Sequence, residues 1–185
     1  MSDVLEVDIR GVFVDHATDT AVVLLGELAT TNRVLPIVIG PAEAQAIAIG
    51  ISVVDVPRPL THDLLLRTVE AASGYIRRVD VVGLAQGTFL AELELALGDR
   101  VVRIDARPSD CIALAVRAGV PIGVDRDLFD RASVGIEERH EGGGLDEERI
   151  DEIMRDFRRF LDDADPGDFR VGRDRGDSDE PDAPE

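Results

Sequence analysis

Two stretches of this chain, 67 positions apart, read alike, and that repetition constrains the fold more than any other feature. Shifted without gaps, Glu27-Leu28-Ala29 falls on Glu94-Leu95-Ala96, Arg33-Val34 on Arg100-Val101, Ile37 on Ile104 and Pro41 on Pro108. Ala46 then meets Ala113, Ala48 meets Ala115, and Glu43 meets a second acid, Asp110. Both stretches pass through alternating, β-branched segments into a proline and an alanine-rich run. Alternation marks strands, and proline suits the first turn of a helix, where its missing amide has no intrahelical partner. The order is strand–strand–strand–helix, twice. It runs Val4–Val14, Ala21–Leu25, Arg33–Ile39 and a helix from Pro41 through Ile49, then Ile76–Gly83, Thr88–Leu95, Arg100–Asp105 and a helix from Pro108 through Val116. The pattern predicts an α+β fold of internally duplicated units, forming a mixed sheet or sheets with packed helices. Residues 18–50 and 85–117 are expected to superpose about an approximate two-fold axis. Pro36 lacks an amide donor, so the third strand is expected to be an edge or irregular there.

The copies span about 4–56 and 75–124, and the main domain is expected to end near residue 124. Between them a helix is predicted over 61–73, with Thr61 as N-cap, Asp63 in the first turn and Gly74 as the stop. Residues 125–169 read as an acidic linker and a C-terminal helix. From Leu145 to Asp163 apolar residues recur at 150, 153, 154, 157, 160 and 161, an amphipathic face expected to dock on the main domain or a neighbouring subunit. Residues 170–185 form an acidic tail of disordered composition.

Aromatics are 4 % of the chain and Trp is absent, so the core must be aliphatic. One cysteine, Cys111, excludes a disulfide framework, and no paired Cys or His forms a zinc signature. No apolar run approaches a membrane span of ~18 residues. The N-terminus lacks the basic segment of a leader, so a cytoplasmic protein is expected. The net charge is −18, and all 20 basic residues are Arg. Residues 125–185 carry 22 acids and 10 Arg, against 16 acids and 10 Arg before them. Such a chain repels phosphate backbones unless an Arg cluster or a metal intervenes.

Glycine-rich phosphate loops, nucleophile elbows and helix-turn-helix patterns are absent. The strand–helix junctions are the candidate sites. At Asp105-Ala-Arg-Pro-Ser-Asp110, a helix N-terminus offers free amides, with Arg107 to clamp a phosphate and Ser109 to donate to it. Asp105, Asp110 and Glu43 are alternatively a carboxylate set for Mg²⁺ or Mn²⁺. The plainer reading is that these acids complement helix dipoles and pair with Arg107. Arg58-Pro-Leu-Thr-His62-Asp63 is the second cluster, with His62 the proton-transfer candidate and Arg58 a phosphate ligand. His16 and His140 fall in predicted loops, and Cys111 reads as a small buried apolar residue.

Leu35-Pro-Ile-Val-Ile-Gly-Pro-Ala-Glu-Ala-Gln-Ala-Ile-Ala48, Arg58-Pro-Leu-Thr-His-Asp-Leu64, Gly87-Thr-Phe89 and Ala106-Arg-Pro-Ser-Asp-Cys-Ile-Ala-Leu-Ala115 together resemble the bifunctional nuclease domain family. The tail from Phe157 to Phe169 is similar to the ending of its bacterial members. The resemblance implies a nuclease acting on DNA and RNA. Val38 stands where many members have Trp, which removes a base-stacking surface. Two readings follow. One is a metal-assisted phosphodiesterase with His62 and Asp110 catalytic, Arg58, Arg107 and Ser109 on the substrate, and Asp105, Asp110 and Glu43 on the metal. The other is a non-catalytic regulatory or ligand-binding module that oligomerises, as a dimer in the favoured case, through its alanine-rich helices.

Overall fold

The computed structural model describes residues 3–15, 20–28, 32–52, 56–136 and 147–163, with side chains of the last stretch described for 149–159. His16, His140 and the tail beyond Asp163 lie outside the described residues. The first three strands are β1 (Val4–Asp15), β2 (Thr20–Glu27) and β3 (Arg33–Ile39), followed by α1 (Pro41–Ser52) and α2 (Thr61–Ala71). Then come β4 (Gly74–Ala85), β5 (Thr88–Leu97), β6 (Arg100–Ala106) and α3 (Pro108–Ala118). The chain continues with β7 (Ile122–Asp125), α4 (Arg126–Ala132), β8 (Val134–Gly135) and α5 (Glu147–Asp163).

All eight strands join one mixed sheet in the order β6-β5-β4-β7-β1-β2-β3-β8. The α+β class expected from the sequence is therefore present. β1-β2-β3 and β4-β5-β6 are each antiparallel meanders. β7 stitches them together, antiparallel to β1 and parallel to β4. Gly123 sits at that seam because a Cβ there would overlap Asp80 Oδ1, Val4 Cγ1 and Arg78 Nη2. Pro36 opposes Leu24 of β2, beyond the two residues of β3 that β8 pairs, so its missing donor falls on a free edge.

The fold runs past the boundary expected near residue 124. Leu128, Phe129 and Ala132 of α4 enter the main core, and Asp125 caps that helix by accepting from Leu128 N at 3.1 Å. β8 adds to β3, and Arg33 there pairs with Asp130 at 3.0 Å. Thr61 is not the N-cap of α2; Leu60 holds that position and Thr61 is the first helical residue. Gly74 is not the stop either, since Ser73 takes the left-handed conformation (φ 58°) and Gly74 opens β4.

The strand pairing does not reproduce the gapless 67-residue register across both strands of the hairpins, and an internal duplication is not shown. Val34 opposes Gly26 in the first hairpin, whereas Val101 opposes Ala96 in the second. A shift of 67 that lays β3 on β6 would need a shift of 70 to lay β2 on β5. Five residues separate β2 from β3 and only Gly98-Asp99 separates β5 from β6. The corrected pairing matches Val22 with Glu92 and Leu24 with Glu94. Cover explains the exchange. Val22, Leu24 and Val34 pack with Ile153 of α5 on one face of the sheet, while Val23, Leu25, Leu35 and Ile37 face the main core. A strand buried on both faces reads as an unbroken apolar run, as Ala21–Leu25 does. No described helix covers the same face over β4–β6, which carries Arg78–Asp80 at 2.7 Å and Arg103–Glu94 at 3.3 Å.

The docking face expected of the C-terminal helix is present at Ile153 and Phe157, both buried, with Ile150 and Met154 partly so. Phe160 and Leu161 lie outside the described side chains. Phe157 stacks on Phe89 with ring centroids 5.9 Å apart and planes 9° off parallel. Phe157→Ala is expected to destabilise the chain by about 3 kcal/mol, since a buried aromatic loses transfer energy and leaves a cavity. Urea unfolding measures this, and a midpoint equal to wild type would show that α5 contributes nothing to the core.

Candidate functional site

An acid stands third in each of the helices α1, α2 and α3: Glu43, Asp63 and Asp110. Free amides and the helix dipole favour a carboxylate there. α3 packs between α1 and α2, so the three first turns are brought into one neighbourhood. Only Asp63 serves its own helix, accepting from Leu60 N at 2.8 Å. Glu43 and Asp110 turn instead to Arg107, the N-cap residue of α3. Arg107 donates from Nε to Asp110 Oδ2 at 2.8 Å, from Nη2 to Asp110 Oδ1 at 3.2 Å and from Nη1 to Glu43 Oε1 at 2.9 Å.

His62, second residue of α2, completes the cluster. Its Nε2 lies 3.3 Å from Asp110 Oδ1 across 48 residues of sequence. With the carboxylate ionised, Nε2 carries the shared proton and Nδ1 keeps its lone pair in the neutral ring. The Arg107 guanidinium is the main influence holding the Asp110 carboxyl below the usual range. Partial burial opposes it and His62 adds to it. Arg107 is pushed upward in turn, first by Asp110 and then by Glu43, and stays charged. Because Arg107 is 64 % exposed, these ion pairs contribute only ~0–1 kcal/mol each to stability.

The other expected residues are placed differently. Arg58 is exposed just before α2 and makes no ion pair among the described residues. Ser109 is buried, 6 % exposed, so little of it reaches a bound substrate. Asp105 opposes Glu92, and strand alternation turns both away from the core face of β5 that Ala91 and Leu93 occupy. The trio Asp105, Asp110 and Glu43 is therefore not assembled. No three His, Cys, Asp or Glu side chains among the described residues are grouped to hold a metal ion. Arg107 occupies the position between Glu43 and Asp110 that a cation would need, so these residues do not fit Mg²⁺ or Mn²⁺ as arranged. Cys111 is buried, and burial with the surrounding acids pushes its thiol up to about 12, consistent with a packing role.

The sequence reading missed Arg117. From the last turn of α3 its Nε reaches Asp63 Oδ1 at 2.7 Å and its Nη1 reaches Ala113 O at 2.8 Å. Its side chain is 7 % exposed, and Nη2 is buried with no partner among the described residues. A Cβ at Gly50 of α1 would meet Arg117 Nη1 at 2.8 Å, so the small residue lets α1 close over this guanidinium. The Asp63–Arg117 pair pins the first turn of α2 to α3 and sets His62, one residue earlier, against Asp110. Nothing local to Arg117 signals this, since a basic last-turn residue ordinarily complements the helix dipole.

Asp63→Ala strands the Arg117 cation and is expected to cost about 3 kcal/mol in urea unfolding at neutral pH. The pH dependence has a definite sign. Chiefly the Leu60 amide, with Arg117, holds the Asp63 carboxyl below its ordinary 3.8. Its contribution is thus present above the unfolded value and is lost as pH falls through the lower folded one. The gap between wild type and variant should narrow between roughly pH 5 and pH 2. A gap independent of pH would show that the carboxylate charge is not involved.

No helix of the described residues is long and apolar enough to cross a membrane. Residues 23–137 match the bifunctional nuclease domain. An uncharacterized protein of Mycobacterium tuberculosis is 39 % identical over 166 residues, which is 90 % of this chain and 98 % of that protein. Bifunctional nuclease 2 of Arabidopsis thaliana is 32 % identical over 117 residues, 62 % of this chain and 35 % of the plant protein. Bifunctional nuclease 1 of Oryza sativa subsp. indica is 27 % identical over a stretch of the same length. The matched domain contains Glu43, His62, Asp63, Arg107, Asp110 and Arg117 together. With most of its length matched to that domain, this chain belongs to the bifunctional nuclease domain family.

Proposed function

We propose that this chain hydrolyses phosphodiester bonds of nucleic acid, DNA or RNA, at the His62–Asp110–Arg107 cluster. The observation that carries the reading is the 3.3 Å approach of His62 Nε2 to Asp110 Oδ1, joined to an exposed Arg107. A carboxylate on one ring nitrogen fixes the tautomer and leaves the other nitrogen to move a proton. Nδ1 takes a proton from the attacking water as the water oxygen bonds to phosphorus. The bond from phosphorus to the leaving oxygen breaks, and the imidazolium returns the proton to that oxygen. Asp110 stabilises the imidazolium while it lasts. Arg107, with Arg58 before the helix, binds the phosphate and the charge that builds on it. The scheme has no step through a metal, because Arg107 already holds the carboxylates.

The names of the plant relatives support a nuclease class. The acidity of the chain opposes tight binding, so salt-sensitive, weak association is expected. A second reading, a non-catalytic ligand-binding or regulatory module, is favoured by one observation. Glu43 and Asp110 already satisfy Arg107, and a phosphate must displace them.

The test is hydrolysis of single-stranded DNA and RNA by highly purified protein in EDTA and in Mg²⁺. His62→Ala is expected to lower kcat by roughly 10²–10⁴-fold, with circular dichroism unchanged. Asp110→Asn is expected to lower it by up to roughly 10⁴-fold through loss of the oriented tautomer. Activity is expected in EDTA. Activity that both variants retain would place the chemistry elsewhere, and an inactive wild type would favour the non-catalytic module.

A further inference from the structure

The sheet has two edges, and they differ. At one end β8 is two residues long and flanked by α4. At the other end β6 is seven residues long, contains no proline, and pairs with β5 on one side only. No described strand or helix covers it. Val101 is 52 % and Ile104 42 % exposed, on opposite faces of the strand. Among the described residues no strand pairs with its outer side, and an edge of this kind invites another strand. The alanine-rich helices do not offer a comparable surface. Ala44, Ala113 and Ala115 are buried inside the chain, where α1 packs on α3.

We propose that β6 pairs antiparallel with β6 of a second copy, in a register centred on Ile104. A two-fold axis normal to the sheet keeps each residue on its own face, so only positions of like parity can oppose each other. Centring on Ile104 sets Ile104 against itself, Val102 against Ala106, and Arg103 of each copy against Asp105 of the other. Two opposite-charge cross-strand pairs then flank an apolar pair, the favourable arrangement for a ladder. Centring on Arg103 would oppose two guanidinium groups, and centring on Val102 would bury Arg100 against Ile104. β6 carries Arg100, Arg103 and Asp105, a net positive strand in a chain of net charge −18; Arg103 already pairs with Glu92 and Glu94 of β5, and a partner's Asp105 would add a third carboxylate beside it. Each chain has one long open edge, so assembly closes at two copies and forms no filament.

Sedimentation of the full chain is expected to show a concentration-dependent dimer. The register is tested by Ile104→Cys, since opposed residues of an antiparallel pair have Cα atoms about 4.5–5.5 Å apart, within disulfide reach. Mild oxidation is expected to give a covalent dimer, with buried Cys111 supplying no background. Val101→Cys, at the more exposed of the two positions, is expected to give none, because position 101 would oppose position 107. Arg103→Asp is expected to weaken dimerisation at least tenfold, and Arg103→Asp with Asp105→Arg to restore it. A monomer at every concentration overturns the proposal. So does a dimer that Ile104→Cys fails to cross-link or that Val101→Cys links equally well. None of these outcomes depends on nuclease activity.

Discussion

Four residues, Ile122–Asp125, hold the two halves of this molecule together. On one side β7 pairs with Val4 to Val7, and on the other with Val79 to Val81. Without it β1 and β4 would be edges of two separate meanders, each too small to bury a core from both sides. The seam admits only a glycine at its centre, because the Arg78–Asp80 pair lies directly over residue 123. One continuous sheet then allows α1 and α3, launched from opposite halves, to land beside each other on a single core.

That adjacency assembles the candidate site. Arg107 and Asp110 come from the junction after β6, Glu43 from the junction after β3, and His62 from the helix between the halves. Each helix alone carries only an acid near its N-terminus, a commonplace feature. The distinctive feature is that one exposed guanidinium draws two of these acids from different helices onto itself. Exposed ion pairs add little stability, so the arrangement is not needed to hold the fold. The Asp63–Arg117 pair is different, because the Arg117 side chain is buried and Asp63 is only partly exposed. It sits where charge is costly to strand, and it fixes the first turn of α2 against α3.

The two faces of the sheet follow a simple rule of cover. Over β2 and β3 the face is apolar because α5 lies on it; over β5 and β6 the matching positions are charged because no described helix does. The same asymmetry leaves β6 as the long unpaired edge. Among the described residues α4 and β8 lie at the β3 end, α5 reaches from β3 and β8 to Phe89 of β5, and β6 is left as the edge beside the His62–Asp110 cluster.

The sequence by itself determined the local elements. Alternation marked β1 and β5, β-branched apolar runs marked β2, β3, β4 and β6, and prolines at 41 and 108 marked the starts of α1 and α3. Those signals are short-range, since strand alternation and first-turn proline depend only on neighbouring residues. The sequence also singled out His62, Arg107, Asp110 and Glu43 as polar groups at helix starts. Tertiary structure decided the rest. Ile122–Asp125 is too short and too glycine-dependent to announce a central strand, and its pairing is defined by partners about 40 and 120 residues away. Hairpin loops of different length set the pairing within each half, so the gapless 67-residue register read from the sequence does not carry over to both strands. Asp105 left the carboxylate set because strand alternation points it to the opposite face, while Arg117 joined the site region from the far end of α3. Long-range packing alone determines which charges meet.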